Sequence, residues 1–135
     1  GLMCSPELKM GESDSSNCIA VATPPEFPKG MPNIWSPEHL FTASVSSCLM
    51  TTFLAIAENS KLDFAAFSCN AKGILAKEEG KFAMTEIILS PTVTIFNEKD
   101  RERAERIVQK SEAACLISNS IKSKISLNIT IQIKD

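Results

Sequence analysis

The sequence predicts an α+β fold, a mostly antiparallel sheet served by two principal helices. Three stretches carry that prediction. Leu40 to Ala57 contains no charged residue and is long enough for five helical turns. Phe64 to Phe96 reads as two strands around a tight turn, with period-two alternation in Thr85–Leu89 and Thr92–Phe96. Ala104, Ile107, Val108, Ser111, Ala114 and Cys115 recur at the i, i+3, i+4 spacing of one helix face. A chain of 135 residues with 44% hydrophobic and 22% charged side chains fits one globular domain, taken as residues 1–135.

In chain order, residues 1–22 are short and mixed, with Cys18 to Ala22 as a strand. Pro24, Pro25, Pro28, Gly30, Pro32 and Pro37 then stiffen a loop that excludes helix and central strand alike. Ser36 is placed to cap a helix, Pro37 suits its first position, and Glu38 complements the helix dipole. The helix runs to about Asn59. Its Ser and Thr content argues for a central helix buried on most sides rather than a membrane span. Small residues at Ala43, Ser44, Ser47 and Cys48 would let a second helix approach, including the same helix of another subunit.

Glu78-Glu79-Gly80-Lys81 forms the hairpin turn between the two strands, and Pro91 marks a bend or bulge in the second. The second helix begins at Asn97–Asp100, and the chain breaks around Leu116–Asn119. Ile125 to Ile133 closes the fold as one alternating strand.

Charge and cysteine usage narrow the function. Fourteen Lys+Arg against sixteen Asp+Glu leave a net charge of −2, so no basic excess exists to hold nucleic acid or an anionic membrane. With 6% aromatics and no Tyr, a base-stacking surface is also unsupported. The five cysteines, Cys4, Cys18, Cys48, Cys69 and Cys115, are odd in number and widely spaced. That pattern fits neither a secreted disulfide framework nor, with His39 the single histidine, a structural zinc site. A cytoplasmic protein is expected, without metal or cofactor. Cys18 and Cys69 lie in strand-like runs and read as buried, inert thiols.

Cys48 and Cys115 differ, since each sits on the small or apolar face of a helix. A reactive cysteine requires its thiolate, and Cys48 stands mid-helix, where the dipole contributes little. A cation from elsewhere is therefore expected beside it. Glu38, ten residues upstream, reads either as an ordinary helix N-terminal charge or as an acid that fixes such a cation.

The run from Trp35 to Cys48, WSPEHLFTASVSSC, resembles the "sPEeLfaaalaaC" signature of the OsmC/Ohr family, the osmotically inducible and organic hydroperoxide resistance proteins. Ser111 to Ser120, SEAACLISNS, resembles that family's second cysteine segment, and the separation of 115 − 48 = 67 positions suits it. The resemblance implies an OsmC-like intertwined homodimer, its sheets wrapped around central cysteine-bearing helices. It implies Cys48 as peroxidatic residue, Cys115 as resolving residue and Glu38 as the site acid. The implied activity is reduction of organic hydroperoxides to alcohols through a Cys48 sulfenate and a Cys48–Cys115 disulfide, recharged by a lipoyl-type dithiol or a small thiol. Phe41 and Phe53 could hold an alkyl tail, or be plain core. The family's N-terminal arginine has no counterpart, leaving Lys29 or Lys9 as the cation. Glu112 stands where the family has histidine, and Leu116 where it has proline. A non-catalytic binder of small molecules and a redox sensor are the alternative readings.

Overall fold

The computed structural model describes residues 1–4 and 18–135. Lys9 lies outside the described residues. Contacts divide the chain into two compact units, Gly1–Phe41 and Thr42–Asp135.

In the first unit, β1 (Leu2–Cys4) pairs antiparallel with β2 (Cys18–Ala20), with Cys4 opposite Cys18. A bridge from Val21 to Trp35 closes the proline loop. Within it, Phe27 donates to the Pro24 carbonyl at 3.0 Å and Gly30 to the Phe27 carbonyl at 3.0 Å. A Cβ on Gly30 would fall 1.9 Å from the Pro24 oxygen, so only glycine lets these backbones meet. Ser36 and His39 then build a reciprocal cap. The Ser36 hydroxyl accepts from the His39 N–H at 3.2 Å, while His39 Nδ1 accepts from the Ser36 N–H at 3.2 Å. This is the capping box with histidine in the place usually held by Glu or Gln.

Helix α1 (Pro37–Asn59) starts and ends where capping and composition place it. It is long and apolar enough to cross a membrane by length and composition, with a mean hydropathy of 1.7. Its burial differs from the expected helix enclosed on most sides. Within this chain only Val45, Leu49, Phe53 and Ala57 are buried, a single stripe at four-residue spacing, and Met50 and Leu54 remain about two-fifths exposed. A helix against one sheet has one covered face; more requires a further partner.

The second unit is organised around β3 (Phe64–Glu78) and β4 (Lys81–Ile95), which pair antiparallel along their whole length. Glu79 and Gly80 turn the hairpin with φ of 51° and 79°, the left-handed pair of a two-residue type I′ turn. On β4 the alternate residues Ile87, Leu89, Pro91, Val93 and Ile95 are buried. Of these, Val93 and Ile95 meet Phe53 and Ala57 of α1 and Ala104, Ile107 and Val108 of α2 (Arg101–Ala113) in one core. Phe53 stacks on Phe67 at 4.7 Å between ring centroids and meets Phe64 edge-on at 5.2 Å. Gly73 on β3 admits α1, since a Cβ there would stand 2.4 Å from Thr42 Oγ1. Arg103 donates to the Ser60 carbonyl, and Arg101 to the Ile131 carbonyl at 2.7 Å, pinning the start of α2.

The single closing strand expected from Ile125 to Ile133 is instead two strands, β5 (Lys124–Leu127) and β6 (Thr130–Ile133). Both pair with β4, and both are parallel to it. The direction follows from α2, a crossover that returns the chain in the sense of β4. Register is unchanged across the break, with Leu89 opposite Leu127 and Thr92 opposite Thr130. The missing rungs fall beside Pro91, which has no N–H to give to a central ladder.

Candidate thiol site

Cys48 lies on α1 beside the fully buried stripe residue Leu49 and is itself half-buried; Thr52 Oγ1, one turn on, sits 4.0 Å from its sulfur. Cys115 is fully buried just beyond the end of α2. Its N–H donates to the Glu112 carbonyl at 3.1 Å, and its own carbonyl accepts from Asn119 N–H at 3.1 Å. Asn119 also caps the helix through its side-chain amide, bonded to the Ala113 carbonyl at 3.1 Å. The chain therefore leaves α2 by a defined path into a short 3-10 turn at Ser118–Ser120.

That path sets the two thiols near enough for each to act on the other's proton affinity. Burial pushes the Cys48 thiol up, but hydrogen bonds outweigh it and its pKa falls below the ordinary thiol value. The donors are the Cys115 thiol, the Ile117 N–H, the Thr52 hydroxyl and the Leu116 N–H. Burial raises Cys115, and the proton it shares toward Cys48 raises it further, while Ser118 opposes through its N–H and hydroxyl. One sulfur is thus biased toward thiolate and its neighbour toward thiol, the division of labour that thiol–disulfide chemistry uses.

The sequence had pointed to a cation as the group holding the thiolate. Among the described residues, the groups that lower Cys48 are uncharged hydrogen-bond donors, two of them backbone N–H groups that follow Cys115. Successive N–H groups at the start of a turn form a concave anion site without any charged side chain. The signal for them was the chain break after Cys115, since Leu116 and Ile117 lead into the 3-10 turn at Ser118–Ser120 and a helix start leaves N–H groups unbonded.

The other expected residues take the following places. Phe53 is fully buried and stacked in the core, the plain-core alternative for that residue. Glu38, Phe41 and Lys29 belong to the first unit; Glu38 and Phe41 are half-buried and Lys29 is exposed, in the proline loop, at φ 64°. Cys18 corrects the expectation of a buried inert thiol, for it is exposed and disulfide-bonded. A short edge pair has no core beneath it to bury a side chain. Cys69 is free and half-buried, its pKa raised by burial and by the Glu112 carboxylate nearby. It lines a hollow of about 210 Å³ with Ser46, Ser47, Met50, Phe67 and Ser68. Among the described residues, no group of three or more His, Cys, Asp or Glu side chains is placed to hold a metal ion.

Comparison with known proteins finds relatives of the same fold. The uncharacterized protein YmaD of Bacillus subtilis is 23% identical over 128 residues, covering 93% of this chain and 85% of its own. Among solved structures, an OsmC-like protein of unknown function from Vibrio cholerae is 27% identical with a TM-score of 0.72, over 93% of this chain and 82% of that one. An organic hydroperoxide resistance protein from Elizabethkingia anophelis, with thiocyanate bound, shares the fold at a TM-score of 0.73 and 22% identity, over 90% and 86% of the two chains. The family described as OsmC-like protein matches residues 30–130, a span that includes both cysteine segments. With its mixed helix-and-sheet fold and the two cysteine-bearing segments of that match, this chain belongs to the OsmC-like family.

Proposed function

We propose that this chain is a cytoplasmic thiol peroxidase that reduces organic hydroperoxides to alcohols. The observation that carries the reading is the asymmetric pair: a Cys48 sulfur held toward thiolate by hydrogen bonds from the Cys115 region, beside a Cys115 thiol held toward its protonated form. The Cys48 thiolate attacks the terminal peroxide oxygen, the O–O bond breaks, and the alkoxide leaves as alcohol after taking a proton. Cys48 is then a sulfenic acid. Cys115 attacks its sulfur, water departs, and a Cys48–Cys115 disulfide remains. A dithiol of the lipoyl type or a small thiol reduces it by exchange.

In this reading Glu38 is the acid of the site and Lys29 its cation, with Phe41 against the alkyl portion of the substrate. The working unit is a homodimer, in which a second copy covers the outward apolar face of α1 that includes Met50 and Leu54. The test is consumption of cumene hydroperoxide with dihydrolipoamide as reductant. Cys48→Ser should abolish it, and Cys115→Ser should leave one sulfenic acid per chain at Cys48. Equal consumption by Cys48→Ser and parent would overturn the proposal.

A further inference from the structure

Formation of the disulfide requires Cys115 to lose its proton, yet Cys115 is fully buried. Burial disfavours a thiolate, so the proton needs a route and an acceptor. Two buried oxygens lie on that route. Glu112 stands one helical turn before Cys115 at the end of α2, and Ser118 opens the 3-10 turn after it. Glu112 Oε2 and Ser118 Oγ are both buried, and neither completes a hydrogen bond of ordinary length and angle among the described residues. The Ser118 hydroxyl is nonetheless close enough to act on both neighbours, lowering the pKa of Cys115 on one side and of Glu112 on the other. A buried carboxyl oxygen left without a bond is costly, and such atoms persist where a function uses them.

We propose that Glu112 is a positioning residue for the resolving step, drawing the Cys115 proton through the Ser118 hydroxyl as the Cys48–Cys115 bond forms. It rests on the disulfide of the proposed function. The Cys115 proton passes to Ser118 Oγ while the Ser118 proton passes to the Glu112 carboxylate. The Cys115 thiolate attacks the Cys48 sulfur, an S–S bond forms, and the Cys48 S–O bond breaks. The departing hydroxide takes a proton and leaves as water. Cys115 sulfur is oxidised and Cys48 sulfur reduced, so electrons balance between the two. Burial raises Glu112 above the ordinary carboxylate range, toward the thiol it serves. The titratable groups facing this relay are Cys115 beyond α2, Cys48 on α1 and Cys69 on β3, whose own pKa responds to the Glu112 charge.

The relay can be read without any peroxide. In a Cys69→Ser background, stoichiometric 5,5′-dithiobis(2-nitrobenzoate) is attacked by Cys48, releasing one nitrothiophenolate and leaving a mixed disulfide. Cys115 then displaces the second, and stopped-flow absorbance resolves the two releases. The first release is the internal reference. Glu112→Gln and Ser118→Ala should each slow the second release at pH 7 by about a hundredfold, the modest end of a positioned base's effect. The deficit should close at high pH, where Cys115 ionises unaided, and Glu112→Asp should recover part of the rate. A second release at the parent's rate in Glu112→Gln overturns the relay. So does a deficit that persists at high pH, or the absence of a second release in the parent. A chain that shows the expected split but consumes no hydroperoxide would sink the proposed function and leave the relay standing.

Discussion

Replacing Cys115 by Ala should make Cys48 a poorer thiolate even before any disulfide chemistry begins. Cys115 heads the interactions that lower the Cys48 pKa, ahead of the Ile117 N–H, Thr52 and the Leu116 N–H. A hydrogen bond to a charged group contributes about 1.5–3 kcal/mol, and a thiol is a weak donor, which selects the low end. Since one pKa unit corresponds to about 1.4 kcal/mol, the Cys48 pKa should rise by about one unit. Where both values lie above the working pH, the thiolate fraction falls about tenfold. The assay is alkylation by iodoacetamide as a function of pH, followed by mass on the peptide that carries Cys48, in a Cys69→Ser background. Cys115→Ser keeps an O–H donor at the same place and should show a smaller rise than Cys115→Ala. If Cys115→Ala leaves the alkylation profile unmoved or shifts it to lower pH, the thiolate is held by something else, and the uncharged-donor account of this site is wrong.

Two further outcomes follow from the same geometry. Gly73→Ala pushes a methyl against Thr42 Oγ1 and the Met84 Cε, so α1 or the hairpin must yield; overpacking of this kind costs about 1–3 kcal/mol and should lower the urea midpoint without changing the slope. Glu112 has a raised folded pKa, so the native state binds the proton more tightly than the unfolded chain does. Its contribution to stability is greatest below the ordinary carboxylate pKa and is lost as pH rises through the raised value. Glu112→Gln should therefore raise the melting temperature at neutral pH more than at pH 4; an equal shift at both would mean that Glu112 titrates normally.

Much of this fold is legible along the chain because its signals are local. Ser36-Pro37 starts α1 with a side-chain cap and a fixed φ, whatever packs above it. Gly80 marks the hairpin turn because glycine accepts left-handed backbone without a Cβ clash, and Glu79 adopts it beside it. The alternation on β4 marks the face that is buried. The two cysteine segments stand out by residue type and spacing, and the family match covers both.

Distance along the chain hides the rest. Residue type leaves Phe53 open between substrate contact and core, and does not show that Phe64 and Phe67 will close over it and make it core. Alternation in residues 125–133 does not reveal that the neighbouring strand carries Pro91 and will break the ladder, nor that α2 returns the chain parallel. Side-chain identity points to a cation for Cys48 and does not reveal the uncharged donors that lower its pKa, the Cys115 thiol and the N–H groups of Ile117 and Leu116, far from it in sequence. Residue type and local backbone preference act over a few positions, so a single chain reading captures them. Which thiol meets which donor is decided when helix and turn are packed on one sheet, and burial there sets the opposite proton affinities of the two sulfurs.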